Sequence, residues 1–120
     1  MTPKLTFKVA CIQVNPSNDM AENIGNASAF VRTAVKDGAS LIIMPENVSM
    51  MEKDREHTRA KAMPEDSHAA LAAFRKLASE LGVWLHAGSL AIALKNGKIA
   101  NKSIMLVAVV AFFSRPVNQD

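Results

Sequence analysis

The sequence predicts an α/β fold with a mixed sheet, because two strand–helix–strand repeats are followed by a hairpin. In each repeat an amphipathic helix ends at a glycine and an apolar run follows: Gly38 precedes Leu41–Met44, and Gly82 precedes Val83–Leu90. Repeats of this kind pair their strands in parallel. Asn96-Gly97 then marks a tight turn that reverses the chain, which adds an antiparallel strand to the same sheet.

The first repeat begins with a strand over Phe7–Val14, whose nearly continuous apolar residues are typical of a strand buried on both faces. The segment Asn15–Asn18 favours a turn. Asp19 and Glu22 suit the positive end of a helix dipole, and the helix ends near Gly38. Its apolar stripe has helical spacing and comprises Met20, Ile24, Ala27, Val31 and Val35.

The second repeat has a helix-start signature at Pro64–Ser67, with a proline, two acids and a capping hydroxyl. The helical stripe that follows is Ala70, Phe74, Leu77 and Leu81. We expect Phe74 and Trp84 to lie in the core. The hairpin is predicted to pair Leu90–Leu94 with Ile99–Leu106 through a type I′ turn, since Asn and Gly both tolerate positive φ.

Composition limits the functional classes. A chain of 120 residues forms one domain at most, and a hydrophobic fraction of 49% argues against disorder. The net charge of +3 and the few aromatic residues do not favour a nucleic-acid partner. A single cysteine excludes a disulfide framework and suits the cytoplasm. Met1–Lys8 lacks the apolar stretch of a signal peptide, and no run approaches the roughly 20 residues of a membrane span. We therefore expect no membrane partner.

Glu46 is the candidate catalytic residue, since it follows Pro45 at the end of a buried strand. Open α/β sheets place their chemistry at the carboxyl ends of the strands. A general base must be held rigidly within reach of its proton, and the proline fixes the backbone before the carboxylate. The alternative is a helix cap or a plain surface charge.

A charged segment, residues 52–61, lies between Glu46 and Pro64. One interpretation is a solvated loop or a short exposed helix. The other is that the segment flanks the mouth of a site opened by Glu46, since long loops in small domains are often functional.

The chain resembles the nitrilase superfamily, the carbon–nitrogen hydrolases, over about residues 7–106. The specific part is Asp37–Glu46, which contains Gly-Ala-Ser-Leu-Ile-Ile-Met-Pro-Glu. Val9–Asn15 and Asn23 resemble the opening of that family. Leu81–Ser89 and Ala100–Ser103 resemble its third and fourth strands in order and spacing.

The resemblance implies the first half of a four-layer α-β-β-α sandwich, with helices on one face of a mixed sheet. It also implies hydrolysis of non-peptide amide or nitrile carbon–nitrogen bonds by a Glu–Lys–Cys triad, without metal or cofactor, in a homo-oligomer. Glu46 falls on the family's general base, which activates the cysteine thiol. The resemblance is nearer to small-acid amidases than to true nitrilases. Residues 1–106 then form the N-terminal part of the hydrolase domain, and residues 107–120 a divergent tail.

The sequence departs from the family pattern after Leu106. Val107–Phe113 continues as an uninterrupted apolar run, and the family's lysine and nucleophilic cysteine have no counterpart. We expect a truncated, inactive chain that arises by a frameshift, a premature stop or a gene-model error. An apolar sheet face near Cys11, Ile43 and Leu85 is then left uncovered, which predicts an insoluble, molten or self-associated chain. The alternative function is a non-catalytic interaction or dimerisation module.

Other residues offer weaker candidates. Cys11 is expected to be an inert core residue, the alternative being a small thiol-dependent protein that relies on it. Lys102 is expected to be a strand residue with a solvated amine. The three histidines, His57, His68 and His86, lack the spacing of metal ligands.

Overall fold

A computed structural model describes residues 6–107, which form one four-stranded sheet and three helices. In chain order the elements are β1 (Lys8–Cys11), α1 (Met20–Lys36), β2 (Ala39–Ile43), α2 (Arg55–Lys61), a 3-10 turn (Glu65–Ser67), α3 (Ala69–Leu81), β3 (Trp84–Ala93) and β4 (Ile99–Leu106). Apart from Val107, the predicted tail of residues 107–120 lies outside the described residues.

The sheet is mixed, as predicted, with strand order β1-β2-β3-β4. Strands β1, β2 and β3 pair in parallel, and β3 pairs with β4 antiparallel. The β3–β4 hairpin forms where Asn96-Gly97 placed it, and β4 has the predicted bounds. The parallel part brings the carboxyl ends of β2 and β3 side by side, which is where Glu46 follows β2.

The predicted type I′ turn is wrong. Only Gly97 has a positive φ, of 82°, in the hairpin loop, and Asn96 does not. The Gly97 N–H donates to the Leu94 carbonyl at 3.1 Å, which closes a turn with one left-handed residue at its end. Asn96 instead uses its side-chain oxygen, which accepts a hydrogen bond from the Lys98 N–H at 3.0 Å.

The helix boundaries are confirmed for α1 and corrected for α3. Asp19 caps α1 by accepting a hydrogen bond from the Glu22 N–H at 3.1 Å. The Pro64–Ser67 signature begins a 3-10 turn rather than the helix. His68 is the N-cap of α3, and its Nδ1 accepts a hydrogen bond from the Leu71 N–H at 3.3 Å. The sequence analysis missed this cap because histidine is not a typical capping residue.

Helices α1 and α3 cover one face of the sheet and form the core with it. The residues buried there include Ala27, Val31, Ile42, Phe74, Leu77, Leu85, Ala87, Leu90, Ile92 and Leu106. The buried position of Phe74 confirms its predicted core role. Leu85 is fully buried on this helical face, so its expected place on the uncovered face is wrong.

The opposite face of the sheet is open, and we call it the open face. Its exposed apolar side chains are Val9, Trp84 and Met105, with exposed fractions of 43%, 46% and 45%. Cys11 also lies on an exposed edge strand, so the prediction that Cys11 is a buried core residue is wrong. The prediction that Trp84 lies in the core is also wrong, because its side chain lies on the open face of the central strand β3. Among the described strands β1 pairs with β2 alone, so its nearly continuous apolar run does not correspond to burial on both faces within residues 6–107.

Candidate active site

Glu46 lies in the turn that follows β2, and its side chain is exposed. Pairing with β3 continues for one residue past β2, since the Met44 N–H donates to the His86 carbonyl at 2.8 Å. Pro45 comes next, so the carboxylate starts two residues beyond the last hydrogen bond of the sheet. The predicted position at a strand tip is therefore the observed one.

Gly88 of β3 packs directly against the backbone that leads into Glu46. A Cβ atom at Gly88 would lie 2.5 Å from the Met44 carbonyl oxygen and 2.6 Å from that of Pro45, and would also meet the Pro45 carbonyl carbon. These distances are far below van der Waals contact, and all three neighbours are main-chain atoms. Only a residue without a side chain allows β3 to approach Pro45 this closely.

A bulge in β3 brings Ser89 to the turn after Glu46. The register with β4 shifts between Ala87 and Leu90, where two residues of β3 oppose one of β4. The Ser89 hydroxyl, which is buried, accepts a hydrogen bond from the Asn47 N–H at 3.0 Å. Asn47 has φ of 52°, the left-handed conformation that asparagine tolerates better than most residues. The bulge and the turn together hold Glu46 between two fixed neighbours.

Asn23 of α1 ties the loop after Glu46 to the loop after β1. It is 4% exposed, and its Nδ2 donates to the carbonyls of Ser17 at 2.7 Å and Ser49 at 2.9 Å. Its Oδ1 accepts a hydrogen bond from the Ser17 N–H at 2.8 Å. The Met51 N–H also donates to the Ser17 carbonyl at 2.9 Å. A single buried amide thus satisfies backbone groups of two loops, as buried polar groups require.

A cavity of about 640 Å³ opens beside this turn, and Asn47 is part of its wall. Segment 52–61 supplies Glu52, Arg55 and Arg59 to the wall, and the hairpin supplies Lys98. Glu46 itself is not among the lining residues. The first interpretation of segment 52–61 is confirmed, since α2 is a short exposed helix. The segment also borders a cavity at the strand tips, and its place at the mouth of a site opened by Glu46 stays a prediction.

Ion pairs order the charged segment and lower the pKa of several carboxyls. Lys61 Nζ lies 2.5 Å from Glu52 Oε2, and this hydrogen bond lowers the pKa of Glu52. Asp54 caps α2 by accepting a hydrogen bond from the His57 N–H at 2.8 Å, which lowers the pKa of Asp54. Both carboxylates are therefore charged at neutral pH and occupied by partners within their own segment.

The remaining candidates lie apart from Glu46 in structural roles. Lys102 Nζ lies 2.7 Å from Glu65 Oε1, which lowers the pKa of that carboxyl and joins β4 to the 3-10 turn. His86 Nε2 lies 2.7 Å from the Ser103 hydroxyl across the open face. His68 is buried, its Nε2 donates to the Ala91 carbonyl at 3.2 Å, and burial lowers its pKa.

Within residues 6–107 no group of three or more His, Cys, Asp or Glu side chains is arranged to hold a metal ion. The helices of this part are also too short or too polar to cross a membrane.

The sequence analysis missed Gly88, Ser89 and the hydrogen bonds of Asn23. Each acts through atoms distant in sequence, and the only local signal was a glycine inside a strand, which often marks a bulge or a close approach.

Residues 8–109 match the model of the carbon-nitrogen hydrolase family. The chain belongs to this family. The match covers β1 to β4 with the candidate turn at Glu46, and it confirms the resemblance drawn from Asp37–Glu46 and the strands around it.

Two curated carbon-nitrogen hydrolase relatives are amidases. The chain is 32% identical over 80 residues to the deaminated glutathione amidase of Bos taurus, which covers 67% of this chain and 24% of that protein. It is 33% identical over 78 residues to the N-carbamoylputrescine amidase of Arabidopsis thaliana, covering 62% of this chain and 26% of that protein. The chain thus spans about a quarter of the length of these relatives.

Solved structures share the fold. Nit3 of Saccharomyces cerevisiae, a member of branch 10 of the nitrilase superfamily, aligns with a TM-score of 0.74 at 23% identity over 85% of this chain and 40% of that one. An amidase variant from Nesterenkonia sp. AN1 in complex with acrylamide aligns with a TM-score of 0.74 at 18% identity, over 90% of this chain and 41% of that one. The predicted nitrilase-like arrangement is therefore confirmed for the part that this chain covers.

Proposed function

We propose that the chain supplies the general base, Glu46, for hydrolysis of a small-molecule amide or nitrile carbon–nitrogen bond. The observation that carries this proposal is the rigid mounting of the residue. Gly88 packs against Pro45 before it, and Ser89 holds Asn47 after it. A carboxylate that shuttles a proton gains from such positioning, whereas a plain surface charge does not require it.

In the family mechanism that the resemblance implies, the carboxylate takes the proton of a cysteine thiol. The thiolate then attacks the carbonyl or nitrile carbon, and a lysine stabilises the developing negative charge. An acyl or imidoyl intermediate forms on the sulfur, ammonia or an amine leaves, and water releases the acid. Neither of the other two residues has a counterpart in the 120 residues, so we expect no turnover by this chain alone.

A chimera tests the role of Glu46. Residues 1–106 are joined to the downstream part of the bovine deaminated glutathione amidase, and ammonia release from simple amides is measured for the chimera and for the chain alone. We expect release from the chimera only. Glu46→Gln in the chimera lowers kcat by about 10²–10⁴, the usual contribution of a general base.

Glu56→Gln is the matched control, because Glu56 is an exposed glutamate of α2 and the charge change is the same. We expect it to leave the rate of the chimera unchanged. A chimera that keeps its full rate after the Glu46→Gln substitution contradicts the proposal, and so does a folded chimera that releases no ammonia.

The open face favours a second candidate, a dimerisation module without catalysis. Val9, Trp84 and Met105 expose apolar surface together on a sheet, a combination that marks interaction surfaces. A discrete, stable complex of the 120-residue chain, combined with an inactive chimera, supports the module. A monomeric chain with an active chimera supports the hydrolase.

A further inference from the structure

The tip of the β3–β4 hairpin joins a side-chain amide to an unshielded backbone nitrogen. Asn96 and Gly97 are both exposed, and no other asparagine of the sequence is followed by glycine. Because glycine has no Cβ, no side chain keeps the Gly97 nitrogen from reaching Cγ of Asn96. A Cβ at Gly97 would meet no atom beyond its chain neighbours within 4 Å, so open space surrounds this nitrogen. The two atoms belong to adjacent residues, which favours an intramolecular attack.

Two hydrogen bonds orient the Asn96 side chain over the Gly97 peptide. Asn96 Oδ1 accepts a hydrogen bond from the Lys98 N–H at 3.0 Å, so the side chain folds back along the chain as in an Asx turn. The same bond draws electron density away from Cγ and makes it a better electrophile. The Gly97 N–H donates to the Leu94 carbonyl at 3.1 Å. This single turn bond lies at an exposed tip, where it opens without unfolding the hairpin.

The charge around the loop favours the deprotonated form of the Gly97 amide. Lys95 and Lys98 flank the pair, and both are exposed. In the stretch from residue 6 to residue 107 the ion pairs include neither lysine. Two cations beside the nitrogen therefore lower the energy of the anion that attacks Cγ.

The other asparagines of the described residues lack this combination. Asn15 precedes a proline, which has no N–H. The amide of Asn23 is buried and held by Ser17 and Ser49. Asn101 lies within β4, where its backbone is part of the ladder with β3. The remaining ones, Asn18, Asn26 and Asn47, are followed by residues that carry a side chain.

We propose that Asn96 is a site of spontaneous deamidation in the folded chain, and that its isoaspartyl product alters the cavity wall formed by the hairpin. The Gly97 N–H gives its proton to a base in the solvent, and the nitrogen bonds to Asn96 Cγ. The Cγ–Nδ2 bond then breaks, and Nδ2 takes up a proton and leaves as ammonia. Water opens the resulting cyclic imide at one of its two carbonyls and gives aspartate or isoaspartate.

The isoaspartyl product changes the hairpin because its main chain runs through Cβ and is one carbon longer. The loop is closed by bonds from the Leu94 N–H to the Lys98 carbonyl at 2.9 Å and from the Gly97 N–H to the Leu94 carbonyl. A longer main chain cannot keep both geometries. Lys98 and Ile99 line the cavity of about 640 Å³ beside Asn47, so its wall shifts and gains a negative charge. This modification does not depend on the proposed role of Glu46.

The test follows the 120-residue chain in mildly alkaline buffer without substrate. After digestion, mass spectrometry is expected to show a gain of about 1 Da at Asn96, the mass change from amide to acid. The gain is expected to form at least about tenfold faster at Asn96 than at Asn101. Ammonia release reaches at most one molecule per chain, which separates it from catalytic turnover. Urea below the unfolding transition is expected to leave the rate unchanged, because the loop reacts in the native state.

Two variants locate the reacting atoms. N96Q keeps an amide but needs a larger ring, and it is expected to abolish the gain. G97A adds a Cβ beside the nitrogen and is expected to slow the gain at least about tenfold. Gly25→Ala is the matched control, since Gly25 precedes Asn26 instead of following an asparagine, and it leaves the rate at Asn96 unchanged. Circular dichroism checks that each variant is folded.

The effect on the cavity wall is read from NMR amide shifts. The isoaspartyl fraction is expected to shift the Lys98 and Ile99 amides more than N96D, which carries the same charge on a normal main chain. Equal shifts in the two overturn the effect on the wall. A rate at Asn96 no higher than at Asn101, a rate that rises with the unfolded fraction in urea, or a full rate in G97A overturns the modification site itself. Failure of the chimera to release ammonia from amides would leave this site unaffected.

Discussion

Gly88 is the position at which a single methyl group is expected to disturb the candidate site most. In Gly88→Ala the new Cβ would lie 2.5 Å from the Met44 oxygen and 2.6 Å from the Pro45 oxygen, whereas ordinary contact begins at 3.4 Å. Strand β3 and the turn after β2 must therefore separate by roughly 0.9 Å. The neighbours are main-chain atoms, so no side-chain rotation relieves the clash.

The separation also weakens two hydrogen bonds that flank the contact. These bonds run from the Met44 N–H to His86 and from the Asn47 N–H to the Ser89 hydroxyl. Overpacking costs typically 1–3 kcal/mol, and each hydrogen bond contributes about 1 kcal/mol. We expect Gly88→Ala to lower the free energy of unfolding by about 3 kcal/mol.

Gly25→Ala is the matched control and is expected to have the opposite sign. Gly25 lies within α1, and a Cβ there meets no atom within 4 Å. Alanine favours helix over glycine by about 0.5–1 kcal/mol, so this variant gains stability. The free energies of unfolding of the two variants are therefore expected to differ by about 4 kcal/mol.

Urea unfolding at low protein concentration measures both changes in the free energy of unfolding. Each change is read from the shift of the urea midpoint, provided that the dependence of the free energy on urea concentration stays constant. NMR amide shifts at Glu46 and Asn47 report whether the turn moves with Gly88. If Gly88→Ala is as stable as the wild type and leaves those amides unshifted, β3 does not approach Pro45 in the way described, and the rigid mounting of Glu46 fails with it.

Three further perturbations follow from the structure. Asn23→Ala removes the side-chain hydrogen bonds to Ser17 and Ser49 and is expected to cost about 2–4 kcal/mol in urea unfolding, whereas Asn26→Ala, exposed on the same helix, stays within about 0.5 kcal/mol. Equal effects of the two substitutions would contradict the role of Asn23 in joining the two loops. Burial lowers the pKa of His68 below its ordinary 6.5, so the unfolded chain binds more protons and stability falls as pH drops below 6.5 towards the folded pKa. His68→Asn, whose side-chain oxygen replaces the capping Nδ1, is expected to lose that pH dependence, and an unchanged profile would refute this expectation. If the chain self-associates through the open face, Trp84→Lys combined with Met105→Lys is expected to shift it towards monomer in sedimentation velocity. Phe30→Lys, which changes an exposed residue of α1, is expected to leave the association unchanged. Association that survives the double substitution would show that another surface is responsible.

The order and type of the main elements were readable from the sequence, because they depend on local patterns. Helical spacing placed α1, and the glycine after α3 adopts the left-handed φ of 67° that its capping role predicts. The Asn-Gly pair placed the hairpin. Glu46 was placed correctly at the strand tip for the same reason, since a proline and an acid after an apolar run are local features.

The burial of β1 and the surroundings of Glu46 were decided only by the tertiary structure. The apolar run around Cys11 predicts burial on both faces, but exposure depends on which neighbours a strand has, and β1 is an edge strand with an open face. The hydrogen bond from Asn23 to Ser49 spans 26 residues, and the one from Asn47 to Ser89 spans 42. Periodicity determines which side of an element is apolar, whereas contacts between strand tips and loops depend on how the elements pack. The cavity has the same origin, because α2 and the β3–β4 hairpin line it together only in the folded chain.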